Sequence, residues 1–200
     1  MKNIFGIVAI LLSFSSIAQA DEAESIQKIE IYLNSIKTME ADFIQIASNG
    51  ASSQGKLFIK KPNKINMEYT DDTNISLIGD GKYVVYHDKD LDQVTHISYK
   101  DIPATLILAN DIKIDGKKLK AHNFYKDGGI TSVTFEYTES DNIGPITLVF
   151  NNEPFELKQW KIIDPQGIEI SLSLYNIKRD MKLNDSMFRF KDKKFDPLSN

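Results

Sequence analysis

From Glu40 onward, apolar side chains recur at every second position, and that period leaves the chain few folds. Leu57 and Ile59 alternate with Phe58 and Lys60, and Ile65, Met67 and Tyr69 alternate with Asn66 and Glu68. Val133, Phe135 and Tyr137 repeat the pattern, as do Ile146, Leu148 and Phe150; Ile168, Ile170, Leu172 and Leu174 make the cleanest run. Successive side chains on a strand point to opposite faces, so each run has one apolar and one wetter face. Turn residues separate the runs. Asp80-Gly81 joins residues 75–79 to 82–86 as a two-residue linker of the tight-hairpin kind. Asn63, Asp127-Gly128-Gly129, Asn151-Asn152 and Asp164-Pro165-Gln166-Gly167 mark further reversals. This spacing predicts about ten or eleven strands. So many strands laid flat are unusual, so the expected sheet is antiparallel and strongly curved.

Two segments break the alternation. Residues 22–39 read as an amphipathic helix, because Ile26, Ile29, Leu33 and Ile36 follow spacings of three and four and share a face. Glu22 and Glu24 lie in its first turn, where negative charge suits the helix dipole. Residues 103–110 interrupt the strands, and residues 103–109 predict a short apolar helix opening on Pro103. Too short to stand alone, it must dock, and with the first helix it can cover the open side of the sheet. The expected fold class is mainly β with a few helices (α+β).

Residues 1–20 have the marks of a secretory signal peptide. Lys2 supplies the positive end, residues 4–12 the apolar stretch, and Ala18-Gln19-Ala20 the small-x-small cleavage pattern before Asp21. The apolar stretch falls short of the ~20 residues a bilayer span needs. Residues 21–200 are expected to form one domain in the periplasm. Without Lys2, the 24 basic residues become 23 against 28 acidic ones, a formal charge of −5. That balance argues against nucleic acid as a partner, since phosphate rewards concentrated Lys and Arg. With no cysteine, disulfides, thiolate metal sites and a lipid-modified anchor are all unavailable to these residues.

Catalytic signatures are missing. His87, His96 and His122 show no metal-ligand spacing and read as surface or rim residues. There is no nucleophile elbow, Walker loop or dinucleotide fingerprint; Gly79-Asp80-Gly81 is a hairpin rather than a phosphate cradle, because no helix follows it. Asp164 reads as a turn residue. The expectation is a binding protein with no cofactor and no metal, not an enzyme.

Several ordered stretches resemble the LolA-type outer-membrane lipoprotein carrier family. Phe43-Ile44-Gln45 is similar to its Phe-x-Gln opening strand, and Gly55-Lys56-Leu57-Phe58-Ile59-Lys60-Lys61-Pro62 to its Gly-x-Leu…Arg-Pro strand and turn. Asp80-Gly81-Lys82-Tyr83-Val84-Val85-Tyr86 resembles its Asp-Gly…Tyr hairpin, Leu91-Asp92-Gln93-Val94 its Leu-x-Gln-Val, and residues 103–108 its lid helix. Trp160 with Asp164 and Gly167, then Phe188-Arg189-Phe190, are similar to its closing strands. Together they cover nearly all of the chain after residue 20. The resemblance implies an incomplete antiparallel barrel closed by a helical lid over an apolar lumen. It also implies partners: acylated lipoproteins, an inner-membrane ABC-type release complex that supplies them, and an outer-membrane lipoprotein receptor. A monomer is expected.

On this reading the lumen that holds acyl chains is lined by Leu57, Ile59, Ile65, Met67, Tyr69, Leu77, Val133, Phe135, Ile146, Leu148, Ile170 and Leu172. Ile36, Met39, Leu106 and Ile107 line the lid side. Lys61-Pro62 stands where the family carries arginine before proline, an arginine associated with holding the lid closed and directing transfer. Lysine keeps the charge and three donors but lacks the planar fork. Tyr83 and Val85 stand where the family often has tryptophan, and are expected to reshape the lumen wall. Two alternatives use the same scaffold: a binder of another amphiphile, such as a glycolipid or free lipid, and a lipid or cell-wall hydrolase with clustered acids, or a histidine and a nucleophile, in the cleft.

Overall fold

A computed structural model describes residues 5–71, 73–139, 143–164 and 166–190, with side chains from residue 20 onward. Its centre is one antiparallel sheet of eleven strands. Strands β1 to β6 are Thr38–Ala47, Ser52–Lys60, Lys64–Tyr69, Ile75–Asp80, Tyr83–Asp88 and Gln93–Ser98. Strands β7 to β11 are Leu119–Asp127, Ile130–Tyr137, Ile146–Asn152, Phe155–Ile163 and Glu169–Arg179. Two helices accompany them, α1 (Phe5–Ser35) and α2 (Thr105–Leu108).

The strand order is β6-β5-β4-β3-β2-β1-β11-β10-β9-β8-β7. Every neighbour is also a neighbour in sequence except β1 and β11, which join the two ends of the chain at mid-sheet. The consecutive strands β6 and β7 consequently sit at opposite edges. Residues 99–118, with α2 among them, travel from one edge to the other. The sheet is therefore an unclosed barrel whose opening is bridged by a lid segment.

Curvature comes from extra residues inserted in three strands. Register slips between Glu40 and Asp42 opposite β11, between Leu157 and Gln159 opposite β9, and between His122 and Tyr125 opposite β8. Asn176 and Asn123 take left-handed φ values of 50° at two of these bulges. Such insertions bend the strand and increase its twist. At the first, the Asn176 amide fills the kink by donating to Asp42 Oδ2 at 2.7 Å.

The strand count and antiparallel pairing agree with the sequence-based expectation; three local details differ. Helix α1 stops at Ser35 rather than 39, because Thr38 and Met39 pair with Lys60 and Ile59 on one side and Met39 with Arg179 on the other. Two ladders outweigh continuation of the helix. The β4–β5 loop is Gly81-Lys82, one residue later than expected: Asp80 stays on its strand and its carboxylate accepts from the Lys82 and Tyr83 amides at 2.8 and 3.1 Å. Gly81 supplies the φ of 105° that this turn requires. Asn151 and Asn152 remain in β9, and Glu153-Pro154 makes the reversal. The Asp164 turn is present, its Oδ1 accepting from Gln166 and Ile168 at 2.8 and 2.9 Å, while Pro165 lies outside the described residues.

Residues 5–20 continue α1 without a break, and residues 1–4 lie outside the described part, as do residues 191–200. Among the described residues no helix is long and apolar enough to cross a membrane. The main core occupies the concave side of the sheet beneath both helices. A smaller cluster of Phe58, Leu183 and Phe188, joined by Met181 and Met187, lies on the opposite side, where the C-terminal residues pack over β2 to β4.

Candidate functional site

The concave face is assembled from strands of both halves of the sheet. Leu57, Ile59, Val133, Phe135, Ile146 and Leu148 are fully buried, Ile65, Met67 and Leu172 nearly so. Tyr69 and Leu77 pack half-buried against the same cluster. Eleven of the twelve expected lumen residues thus share one apolar surface; Ile170, half-buried at the start of β11, lies outside it. All four expected lid residues, Ile36, Met39, Leu106 and Ile107, join that surface with 2 % exposure or less. Met39 reaches it from β1 rather than from the helix.

Several members escape a strict two-residue reading. Leu157 and Trp160 are three apart, yet both are buried, because the extra residue at Lys158 restores the inward face. Phe43 is fully buried on β1, its ring edge-on to Tyr69 at 5.3 Å. Burial pushes the Tyr69 hydroxyl up to about 12. Tyr83 and Val85, expected on the lumen wall, are not there. Val84, opposite Gly79, is the β5 residue that joins the concave cluster, and strand alternation sends its two neighbours to the other face.

Helix α1 docks through aromatic packing. Tyr32 meets Phe150 and Phe155 edge-on at 5.6 and 5.7 Å, and those two rings stack at 5.0 Å. Its last turn carries no basic residue of its own. The sheet provides the cations that its free carbonyls favour. Lys61 Nζ donates to Leu33 O at 2.7 Å, and the Lys61 amide donates to Lys37 O at 2.9 Å. Arg179 lies 5.0 Å from the centre of the Tyr32 ring and donates to Ser35 Oγ at 2.7 Å, while Ser35 Oγ donates to Tyr32 O. Burial, with the nearby charge of Lys37, pulls the Lys61 amine down to about 8.

The lid segment is tied down by backbone groups. Asn34 on α1 donates to Ile112 O and accepts from Ile112 N, both at 2.8 Å, and Glu30 accepts from Ile114 N at 2.7 Å. On the other side, the Asn63 amide donates to Leu108 O, at the end of α2, over 2.9 Å. The turn 61–63 therefore touches both helices, Lys61 the first and Asn63 the second. Pro62, joined to Lys61 by a cis peptide, is exposed at its tip.

The buried polar residues among those described are Ser25, Asn66 and Thr131. No three His, Asp or Glu side chains come together as a metal site among the described residues. Glu40 and Asp42 share a strand face, but they are answered by Lys56 and Lys178. His96 is exposed and packs edge-on to Tyr83; His87 packs edge-on to Phe190. The arrangement can exclude water from apolar groups.

The family described as "Outer membrane lipoprotein carrier protein LolA" matches residues 34–191. An uncharacterised protein of Rickettsia prowazekii is 28% identical over 96% of this chain and 89% of its own length. The outer-membrane lipoprotein carrier protein of Aeromonas salmonicida is 28% identical over 94% of this chain and 95% of its own length. The one from Chromobacterium violaceum is 25% identical over 95% and 94%. In fold, a DUF1329-family protein of Desulfovibrio piger superposes with a TM-score of 0.54 at 8% identity, covering 80% of this chain and 92% of that one.

Proposed function

The chain belongs to the LolA family of outer-membrane lipoprotein carriers, and from that premise we propose that it carries lipoproteins by sheltering their acyl chains on the concave face of its sheet. The observation that supports this most is the continuous apolar surface formed by strands of both halves and covered by two helices. A lipoprotein anchor in water exposes several acyl chains, and each buried methylene is worth ~0.8 kcal/mol. Admission of a chain displaces α1 and α2 from Phe135, Leu148 and their neighbours, and the acyl groups replace the lost contacts. Because the lid contacts and the acyl contacts compete for one surface, net affinity stays moderate and the cargo remains transferable. Lys61 acts as the latch on α1.

In this reading residues 1–20 are removed as a signal peptide after Ala20, and residues 21–200 work as one periplasmic domain and a monomer. An inner-membrane ABC-type complex loads it and an outer-membrane receptor unloads it. Titration of the purified protein with a fluorescent fatty-acyl probe tests the site. The probe is expected to bind the native protein, and a Phe135→Asp variant that still folds by circular dichroism is expected to lose it, since a carboxylate buried there is unpaired. Equal binding by both removes the concave face as the site.

A further inference from the structure

We propose that Tyr99 is a positioning residue that holds α2 closed through Asn63, a second fastening separate from the one Lys61 makes to α1. The proposal rests on the carrier reading above and names the part of the lid that Lys61 does not reach. Tyr99 lies in a short 3-10 turn between edge strand β6 and α2, and it is almost fully buried. Its hydroxyl donates to the carbonyl of Asn63. The amide of that same Asn63 donates to Leu108 O at the far end of α2. The segment from 99 to 108 thus leaves the sheet edge, forms the lid helix and returns at both ends to one residue of the β2–β3 turn. Lys61 donates instead to Leu33 and Lys37, at the end of α1 and just beyond it.

Gly79 makes the seat for this tyrosine. A Cβ added to Gly79 would overlap the Tyr99 hydroxyl and lie 2.7 Å from Ile65 Cγ2. Any larger residue there drives the ring away from Asn63. Asn63 itself has a φ of 57°, a left-handed conformation that asparagine tolerates better than most residues. A phenylalanine at 99 would keep the ring and lose only the hydroxyl that faces Gly79 and donates to Asn63. A fastening made of hydrogen bonds at the two ends of the segment 99–108 breaks without unravelling the sheet beneath it.

Amide hydrogen exchange on the purified, cargo-free protein tests the fastening. In Tyr99→Phe, exchange at residues 106–109 is expected to speed up about fivefold to tenfold, the factor for one lost hydrogen bond. Amides of the last turn of α1 should hold. Gly79→Ala is expected to reproduce the α2 effect while keeping the hydroxyl. Lys61→Met is expected to speed α1 and leave α2 alone. Unchanged α2 exchange in both Tyr99→Phe and Gly79→Ala overturns the proposal, as does release of α2 by Lys61→Met to the same degree. Association of a fluorescent fatty-acyl probe, run in parallel, should be faster in Tyr99→Phe. A native protein that binds no probe defeats the carrier reading, and the exchange comparison still decides the fastening.

Discussion

The side-chain ammonium of Lys61 donates to the carbonyl of Leu33, 28 residues away in sequence and in the last turn of α1. Burial makes that charge costly and brings its pKa down to about 8 from 10.5. A base whose folded pKa lies below its unfolded one binds fewer protons when folded. Its contribution to stability is therefore full above 10.5 and lost as pH falls through 8. Stability should rise with pH across that window in the native protein. Lys61→Arg should flatten the rise, because arginine stays charged throughout. Urea midpoints measured from pH 7 to pH 10.5 check this.

Asn34 substitutes for a strand edge, giving Ile112 both a donor and an acceptor. Asn34→Ala leaves the Ile112 amide and carbonyl unpaired beneath α1, at a cost of about 1–3 kcal/mol. Because residues 110–118 are held by few other bonds, the loss is expected locally. Limited proteolysis should cut that segment faster in the variant, with cleavage elsewhere unchanged.

The two faces of the sheet should respond differently to truncation. Leu148, fully buried at the centre of the concave cluster, should lose about 2–5 kcal/mol as Leu148→Ala. Ile46, 55% exposed on the other face of β1, should change by no more than ~0.5 kcal/mol as Ile46→Ala. Denaturant unfolding of both variants measures the contrast.

Asp185 anchors the C-terminal residues to the outside of the sheet, 2.7 Å from Lys60 Nζ and 2.9 Å from Lys64 Nζ. Hydrogen bonds from Lys60 first, then Lys64, hold its carboxyl down to about 2. Its stabilising effect is present above 3.8 and disappears as pH falls through 2. An NMR titration should find this carboxyl among the lowest, and Lys60→Met should move it up towards 3.8.

How far the sequence revealed this depends on the range of each interaction. Alternation within strands is local, so Leu57, Ile59, Val133, Phe135, Ile146 and Leu148 could be placed on one face in advance. Where a bulge adds a residue the period breaks, and Leu157 and Trp160 were hidden for that reason. The end of α1 is decided by strands whose pairing brings Met39 beside Arg179, and no local pattern announces that. Lys61 was visible through resemblance. Asn34 and Tyr99 were not, and Asn63 was visible only as a turn, because each acts on a backbone group 36 to 78 residues away, and backbone groups leave no mark in a sequence.

The proposed cargo is acylated protein. Capture of the protein from periplasm, followed by mass spectrometry of what accompanies it, tests that most directly. Lipoproteins with intact acyl chains are expected in near-stoichiometric amount, and are expected to be lost when Phe135→Asp is captured instead. Free lipids or glycolipids without any lipoprotein would contradict it and assign the concave face to another amphiphile.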